Sequence, residues 1–294
     1  MHPFNQPGIQ WLRGSQWLTQ KLVAWAEAIQ SGIFMGLVDD SDFQAFDTYP
    51  FDETKPINVA NEANFGLEPW EKQAIHEHLT QAQSVLVVAA GGARELLGLS
   101  ELGYDATGIE YGRELCASSQ RELSIRKSSA AIYDSERFQV PPGDRPYDAA
   151  FIARKFLSYI HNRDRRIEFL ASIHRVIRPR APLVFGYYTR DRDTLAFRLQ
   201  AALANLLRKL RGRRDYPIEV GDHIDPHAPL YHHHYVWEEL REELREAGFV
   251  PIEHQTSWFG WAVARSAITN EEPQLRRSGD WETNATNQEL VETN

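Results

Sequence analysis

Between residues 85 and 188, short apolar runs alternate with longer amphipathic stretches. Val85-Leu86-Val87-Val88 is a continuous run rich in β-branched residues that ends in Gly91-Gly92. That is the pattern of a strand buried on both faces of a parallel sheet. The spacing then predicts a helix over Ala93–Leu102, stopped by Gly103, and a strand over Ala106–Glu110. A helix over Gly112–Arg126 and a strand over Ala130–Tyr133 follow. Pro141-Pro142-Gly143 marks a loop. Tyr147–Ala153 reads as a fourth strand, His161–Ile177 as a helix closed by Pro179, and Pro182–Tyr188 as a fifth strand. Strand–helix alternation implies right-handed crossovers and a doubly wound sheet with helices on both faces.

The flanks depart from this repeat. Leu18, Leu22, Trp25 and Ile29 recur at four, three and four residues, one stripe of an amphipathic helix. Residues 39–66 are polar and broken by Pro50 and Pro56, with no regular element expected, and a helix is predicted over Pro69–Gln81. After the fifth strand, Leu195–Leu210 forms a long helix with Leu199, Leu203, Leu206 and Leu210 on one face. An irregular stretch reaches His234, and Trp237–Ala247 is a helix ended by Gly248. Phe249–Ser257 and Phe259–Arg265 read as two strands with a tight break between them. The Asn/Thr/Glu-rich segment from Ser266 lacks periodicity and is expected to be disordered.

The chain has 294 residues, 42% hydrophobic and 25% charged, which fits one large globular domain with added segments. Its net charge of −9 disfavours broad nucleic-acid binding. A single cysteine, Cys116, allows neither a disulfide nor a thiolate zinc site within one chain, so a reducing cytoplasmic setting is expected. No run is long enough for a membrane span, and the N-terminus lacks the features of a secretion signal. Arg208, Lys209, Arg211, Arg213 and Arg214 form a local basic cluster at the predicted end of a helix. It is read as cations at the helix's negative pole, with docking to an acidic partner or a phosphate-bearing substrate as the alternative.

In an open parallel sheet, ligands bind at the carboxyl ends of the strands. Here that means the small-residue loop Ala89-Ala90-Gly91-Gly92-Ala93 and the acid Glu110, nineteen positions after Gly91. Small residues admit close approach of backbone to a ligand, and an acid at that distance can accept hydrogen bonds from ribose hydroxyls. A nucleoside-containing cofactor is therefore expected.

The stretch VLVVAAGGARELLGLSELGYDATGIE resembles the first two motifs of the class I S-adenosylmethionine-dependent methyltransferases. YDAAFIARKFLSYI with RVIRPRAPLVFGYYTR is similar to their fourth and fifth strand regions, and HHHYVWEELREELREAGF to the segment before their final hairpin. The resemblance covers roughly residues 67–265. It implies a seven-stranded, mostly parallel sheet with a C-terminal antiparallel hairpin, and S-adenosylmethionine held by Ala89–Ala93, Glu110, Tyr111 and Ala153. Asp134 is the candidate to face the adenine amine. Residues 1–66 would form a helical extension or lid, with Tyr49, Asn64 and Phe65 near the site, and residues 189–235 an insertion contributing to the acceptor pocket. The chain departs from the family at Val87, where the first strand usually carries an acid. It also departs at Ala89 and Ala93, which flank Gly91 in place of glycines.

Methyl transfer needs in-line alignment and exclusion of water, and a base only when the acceptor must lose a proton. Arg154 and Lys155 directly follow the fourth strand and are candidates to hold an anionic small-molecule acceptor. Of Tyr187 and Tyr188, strand alternation sends one to the pocket and packs the other; Tyr187 is taken as the pocket residue. His232 and His234 are candidate proton acceptors. His223, Asp225, His227 and His232–His234 offer metal-ligand chemistry. Three consecutive residues of an extended segment cannot aim at one centre, so no metal is expected. Two other readings remain open: an NAD-dependent oxidoreductase, since the first strand–loop–helix and its acid would serve NAD, and a non-catalytic nucleoside-binding protein. Oligomeric state is left open.

Overall fold

The computed structural model describes residues 7–39, 59–136, 138–141, 145–190, 195–213, 216–224, 230–256 and 260–268. Tyr49, Asp225, His227, Arg214 and residues 269–294 lie outside them. Among the described residues, three helices precede the sheet region, α1 (Pro7–Leu37), α2 (Val59–Phe65) and α3 (Pro69–His78). Then come β1 (Ser84–Val88), α4 (Arg94–Glu101), β2 (Asp105–Glu110), α5 (Arg113–Ile125), β3 (Ala131–Asp134) and β4 (Ala149–Ile152). A 3-10 turn (Phe156–Tyr159) leads to α6 (Arg163–His174) and β5 (Pro182–Thr189). The rest is α7 (Leu195–Leu210), β6 (Asp222–Ile224), β7 (Tyr231–Tyr235), α8 (Trp237–Glu246), β8 (Phe249–Thr256) and β9 (Gly260–Ser266).

The main sheet runs β3-β2-β1-β4-β5-β9-β8. The first five strands pair in parallel and β9 runs antiparallel to both β5 and β8. This is the expected doubly wound sheet with its antiparallel hairpin. Val85–Val88 are fully buried. Their alternation puts Leu86 and Val88 into one core layer, with Phe169, Leu170 and Phe249, and Val85 and Val87 into the other, with Ala74, Ile75 and Leu96. A carboxylate at position 87 would be desolvated here, so valine suits the site.

The structure adds a hairpin and a short helix that the sequence pattern did not predict. β6 and β7 form an antiparallel pair inside the stretch read as irregular, and β7 joins β5 in parallel through Tyr188↔His234 and Thr189↔Tyr235. Among the described residues the strands therefore number nine in one connected sheet rather than seven. Helix α2 lies within the segment read as broken. Its buried Val59 and Ala63, with Leu67 beyond it, recur every four residues, and tertiary packing rather than length sustains so short a helix.

The two long helices turn unexpected faces inward. The stripe Leu18, Leu22, Trp25 and Ile29 of α1 is exposed, as are Leu206 and Leu210 of α7. What packs is the small-residue face: a Cβ on Gly32 would lie 2.8 Å from the carbonyl of Gln200, and one on Gly36 2.7 Å from Leu207 Cβ. Close backbone approach selects glycine and alanine faces over bulky ones. The basic cluster finishes this joint. Arg208 is buried and donates to the carbonyl of Val38 at 3.0 Å, Arg211 donates to that of Leu37, and Arg213 pairs with Asp39. The cations thus clamp the carbonyl end of α1.

Candidate functional site

The site is built at the carboxyl ends of β1, β2, β4 and β5. After β1 the chain turns through three left-handed residues, Ala89 (φ 57°), Gly91 (φ 49°) and Ala93 (φ 61°). That conformation costs an L-residue about 1–2 kcal/mol. It explains why the resembling family has glycines at all three places, and here two alanines bear the strain. A Cβ on Gly91 would meet nothing closer than 3.8 Å, so this side of the loop is open. A Cβ on Gly92 would lie 2.7 Å from Cβ of Glu62, so the other side is roofed by α2.

Glu110 is buried at the end of β2, and its carboxylate ties the two strand ends together. Oε2 accepts from the N–H of Gly91 at 2.7 Å, and Oε1 from those of Tyr111 and Gly112 at 2.7 and 2.9 Å. A ribose hydroxyl would bind by exchanging with one of these donors. Tyr111 stacks on Phe156 at 5.4 Å, and its buried hydroxyl has no partner among the described residues. An orphaned hydroxyl beside the strand ends is chemistry a polar ligand can satisfy. Ala153 is buried at the end of β4, hydrogen-bonded to the carbonyl of Val88 at 2.9 Å. Asp134 pairs with Glu110 in the β2–β3 register but is exposed, 3.8 Å from Arg113 Nε.

The loop's far side is held by Arg94, which donates to Glu71 through both terminal nitrogens at 2.7 and 2.6 Å and to the carbonyl of Gly66. Burial, opposed by Arg94, pushes Glu71 up to about 7. Neither this pair nor Glu62 was found from sequence, because each joins elements more than twenty residues apart without any periodic signal.

A second cluster stands beside the first. Arg154 (φ 49°) pairs with Glu62 of α2, bringing the roof helix to the end of β4. Lys155 is half-buried, with Nζ 5.2 Å from the ring centre of Tyr188, and burial lowers its pKa. Tyr188 lies 4.7 Å from His232 and 5.3 Å from His234, ring centre to ring centre, and its hydroxyl is 3.3 Å from that of Tyr159. Phe197 and His223 border His234. Of the strand-five tyrosines, Tyr188 joins the histidines. Tyr187, the residue taken from sequence as the pocket member, is fully buried against Phe185 and Tyr235. Alternation along β5 turns it toward the core and leaves Tyr188 facing the histidines. Asn64 and Phe65 lie on the outer part of α2, where Asn64 accepts from Arg126 at 2.6 Å and Phe65 is exposed.

Alternation also sorts the three histidines of β7. His232 and His234 join Tyr188, while His233 enters a buried ionic network. His234 Nδ1 lies 3.3 Å from the carbonyl of Thr189. A carbonyl only accepts, so Nδ1 carries the proton and Nε2 the lone pair. Burial and the neighbouring imidazoles bring its pKa down to about 4, keeping the ring neutral. His233 faces Asp222 Oδ1 at 2.7 Å and Glu239 at 3.1 Å, so both its nitrogens donate. Burial and Arg166 push its pKa down, but the two carboxylates outweigh them and raise it to about 9. Arg166 bonds Glu243 and Glu219 at 2.6 and 2.7 Å, and Arg190 bonds Glu239 and the carbonyls of Val220 and His234. Glu219, Asp222 and His233 come within metal-ligand reach of one another, but the Arg166 guanidinium occupies the same cluster. Its role here is to fix the β6–β7 hairpin on β5 and α8.

No family model matches the chain. A Bacillus subtilis (strain 168) protein named "Putative methyltransferase YqeM" is 25% identical over 122 residues, 42% of this chain and 49% of that protein. The chain thus matches about half the length of this relative. Among solved structures, a SAM-dependent methyltransferase from Methanosarcina mazei aligns at a TM-score of 0.52 and 21% identity, over 69% of this chain and 99% of that one. An S-adenosylmethionine-dependent methyltransferase from Clostridium acetobutylicum aligns at 0.51 and 8% identity, over 72% and 94%. A structure described under the conversion of a disulfide bond into a thioacetal group during echinomycin biosynthesis aligns at 0.53 and 16%, over 79% and 96%. With the strand order and the final hairpin, these likenesses identify the fold of this chain as that of the class I S-adenosylmethionine-dependent methyltransferases.

Proposed function

We propose that the chain is an S-adenosylmethionine-dependent methyltransferase acting on a small-molecule acceptor, with residues 67–265 as the methyltransferase domain and 189–235 as the acceptor-side insertion. The observation that carries this reading is the joined strand ends, a left-handed small-residue loop after β1 bound to Glu110 of β2. Ala89–Ala93, Glu110, Tyr111 and Ala153 would hold the donor, with Asp134 at the rim. The bound donor supplies an electrophilic methyl group on sulfonium sulfur.

The chain's own residues then have positioning work. Lys155 offers a positive charge to an acceptor oxygen, and Tyr159, Tyr188 and His232 offer ring surfaces against which an acceptor can lie. His234, neutral and with its lone pair on Nε2, accepts a hydrogen bond from an acceptor hydroxyl or amine and so orients the attacking atom. At a pKa near 4 it is too weak a base to keep that proton. Glu62 and Arg154 close the roof over the loop and help exclude water.

One observation favours a second reading. Glu110 is already engaged by three N–H groups of its own loops. That suits a protein of this fold that no longer takes the donor. Calorimetry with S-adenosylhomocysteine and with NAD, followed by incubation with methyl-labelled donor and cell extract, tests both. Binding of the sulfur nucleoside and a one-methyl mass gain in a product are expected. Binding of NAD alone, or of neither compound, would remove the methyltransferase reading.

A further inference from the structure

Strand β8 carries one residue more than its partner. Pro251 pairs with Ala264 and Glu253 with Val263, so Ile252 bulges out between them. Ala264 belongs to the core layer of Phe249, and Val263 to that of Ala74 and Ile75 on α3. Residues directly opposite one another share a face. Without the bulge, Ile252 would stand opposite Val263 and pack toward α3. With it, Ile252 is exposed and the carboxylate of Glu253 faces the helix instead. An apolar side chain is put into solvent and an acid is turned inward, an exchange that packing alone does not favour. Bulges re-aim side chains in this way beside functional groups.

Glu253 meets the last residues of α3. His78 Nε2 lies 2.8 Å from Glu253 Oε2, and Glu77 brings a second carboxylate. One ligand atom from each of the three lies within 4.8 Å of the others. Gln73 donates to Glu77 Oε1 at 3.2 Å and steadies it. Two carboxylates thus share one imidazole, and among the described residues neither pairs with Lys or Arg. The set Glu219, Asp222 and His233 differs in this respect, because Arg166 fills it. The carbonyl end of α3 adds negative potential at the same point.

We propose that Glu77, His78 and Glu253 bind a divalent transition metal ion of the zinc type, which clips the end of α3 to β8. One imidazole nitrogen with two carboxylate oxygens is a zinc-type donor set, whereas magnesium and calcium take oxygen ligands. Zinc bonded to both at about 2.0–2.1 Å in tetrahedral geometry sets nitrogen and oxygen about 3.3 Å apart, so the His78–Glu253 contact has to widen by only roughly half an ångström. Toward Glu253 alone, Nε2 carries the proton; toward a metal the ring is the other tautomer, protonated on Nδ1. Glu77 is exposed, so water can complete the coordination. Helix α3 also carries Glu71, which holds Arg94 behind the loop after β1, and the clip steadies that helix from its other end. The site is independent of what the strand ends bind. Its parts lie 175 positions apart, which is why no motif announces it.

Calorimetry of zinc chloride into the full chain, freed of metal by a chelator, should show binding at micromolar concentration or tighter, and zinc should raise the temperature of unfolding. His78→Gln and Glu253→Gln should each weaken zinc at least about tenfold and abolish the thermal shift, with circular dichroism as in the parent. His76→Gln, two residues away on the same helix, should leave both unchanged. Magnesium chloride at the same concentration should give neither heat nor shift. No zinc binding by the parent would overturn the proposal. So would magnesium binding of equal strength, or zinc affinity indifferent to both substitutions, the result expected if the ion sat among His223, His232 and His234.

Discussion

Glu110 reaches back across 19 positions to take the N–H of Gly91 at 2.7 Å, so the acid that ends β2 also shapes the loop that follows β1. Glu110→Gln places an amide donor among N–H groups that need acceptors. The change should lower folding stability by about 1–3 kcal/mol, the cost of leaving buried polar groups unpaired. It should also weaken S-adenosylhomocysteine at least about tenfold. Urea unfolding and calorimetry on the same preparation read both. A stability loss without an affinity loss would restrict Glu110 to holding the loop.

The two glycines of that loop should respond differently to the same substitution. Gly91→Ala adds a methyl into open space at φ 49°, so its cost is the left-handed strain alone, about 1–2 kcal/mol. Gly92→Ala would put its methyl 2.7 Å from Cβ of Glu62, an atom that moves only with its helix. Displacement of α2 is the expected outcome, read as faster amide exchange in residues 59–65 than in Gly91→Ala. Equal protection of α2 in the two variants would contradict the roof contact.

The Glu62–Arg154 pair joins the roof helix to the end of β4, and both side chains are partly exposed. A double-mutant cycle with Glu62→Gln and Arg154→Gln should give a coupling of about 0.2–1 kcal/mol. The coupling should vanish near about 1 M salt, where the screening length falls to about 3 Å. If the pair helps close the site, both single variants should raise KM for the acceptor more than they lower kcat. The opposite split would place the pair outside substrate capture.

His233 gives the hairpin a stability that depends on pH. Its pKa is raised to about 9 from an ordinary 6.5. Its contribution is therefore complete below about pH 6.5 and is lost as pH rises through 9. Asp222 and Glu239 are held below the ordinary carboxylate range, so their share is present at neutral pH and is lost only in acid. Urea midpoints should fall between pH 6.5 and about pH 10. His233→Gln should flatten that fall and lower stability at neutral pH by about 3–5 kcal/mol, because the buried Asp222 carboxylate loses the cation it faces, while Glu239 keeps Arg190.

The sheet was readable because its residues obey one rule each. Val85–Val88 are apolar on both faces, Gly103 and Gly248 stop helices, and Glu110 follows the first loop at a spacing the fold enforces. What the sequence concealed depends on pairs of elements. The stripes of α1 and α7 have clear helical periodicity, yet the helices meet through Gly32, Gly36 and Ala204, because close approach outweighs bulk at that crossing. The hairpin β6–β7 stayed hidden because Asp222, His223 and His232–His234 read as polar. Burial of Asp222 and His233 is made tolerable by Tyr231 and by the carboxylates and arginines, Arg166 and Arg190 among them, that distant elements bring to them. Tyr187 and Tyr188 could be told to diverge, but which one enters the core depends on the facing Tyr235.

Strand β5 changes partner within its own length. Through Tyr187 it is bonded to β9, and at Tyr188 and Thr189 to β7. The backbone pairing between the sheet that carries the loop after β1 and the hairpin that carries His232 and His234 is thus two residues wide, the rest of the joint being side chains. The hairpin, α7 and α1 form a cassette plugged into a finished sheet. Change in such a cassette can leave the ends of β1 and β2 with their geometry.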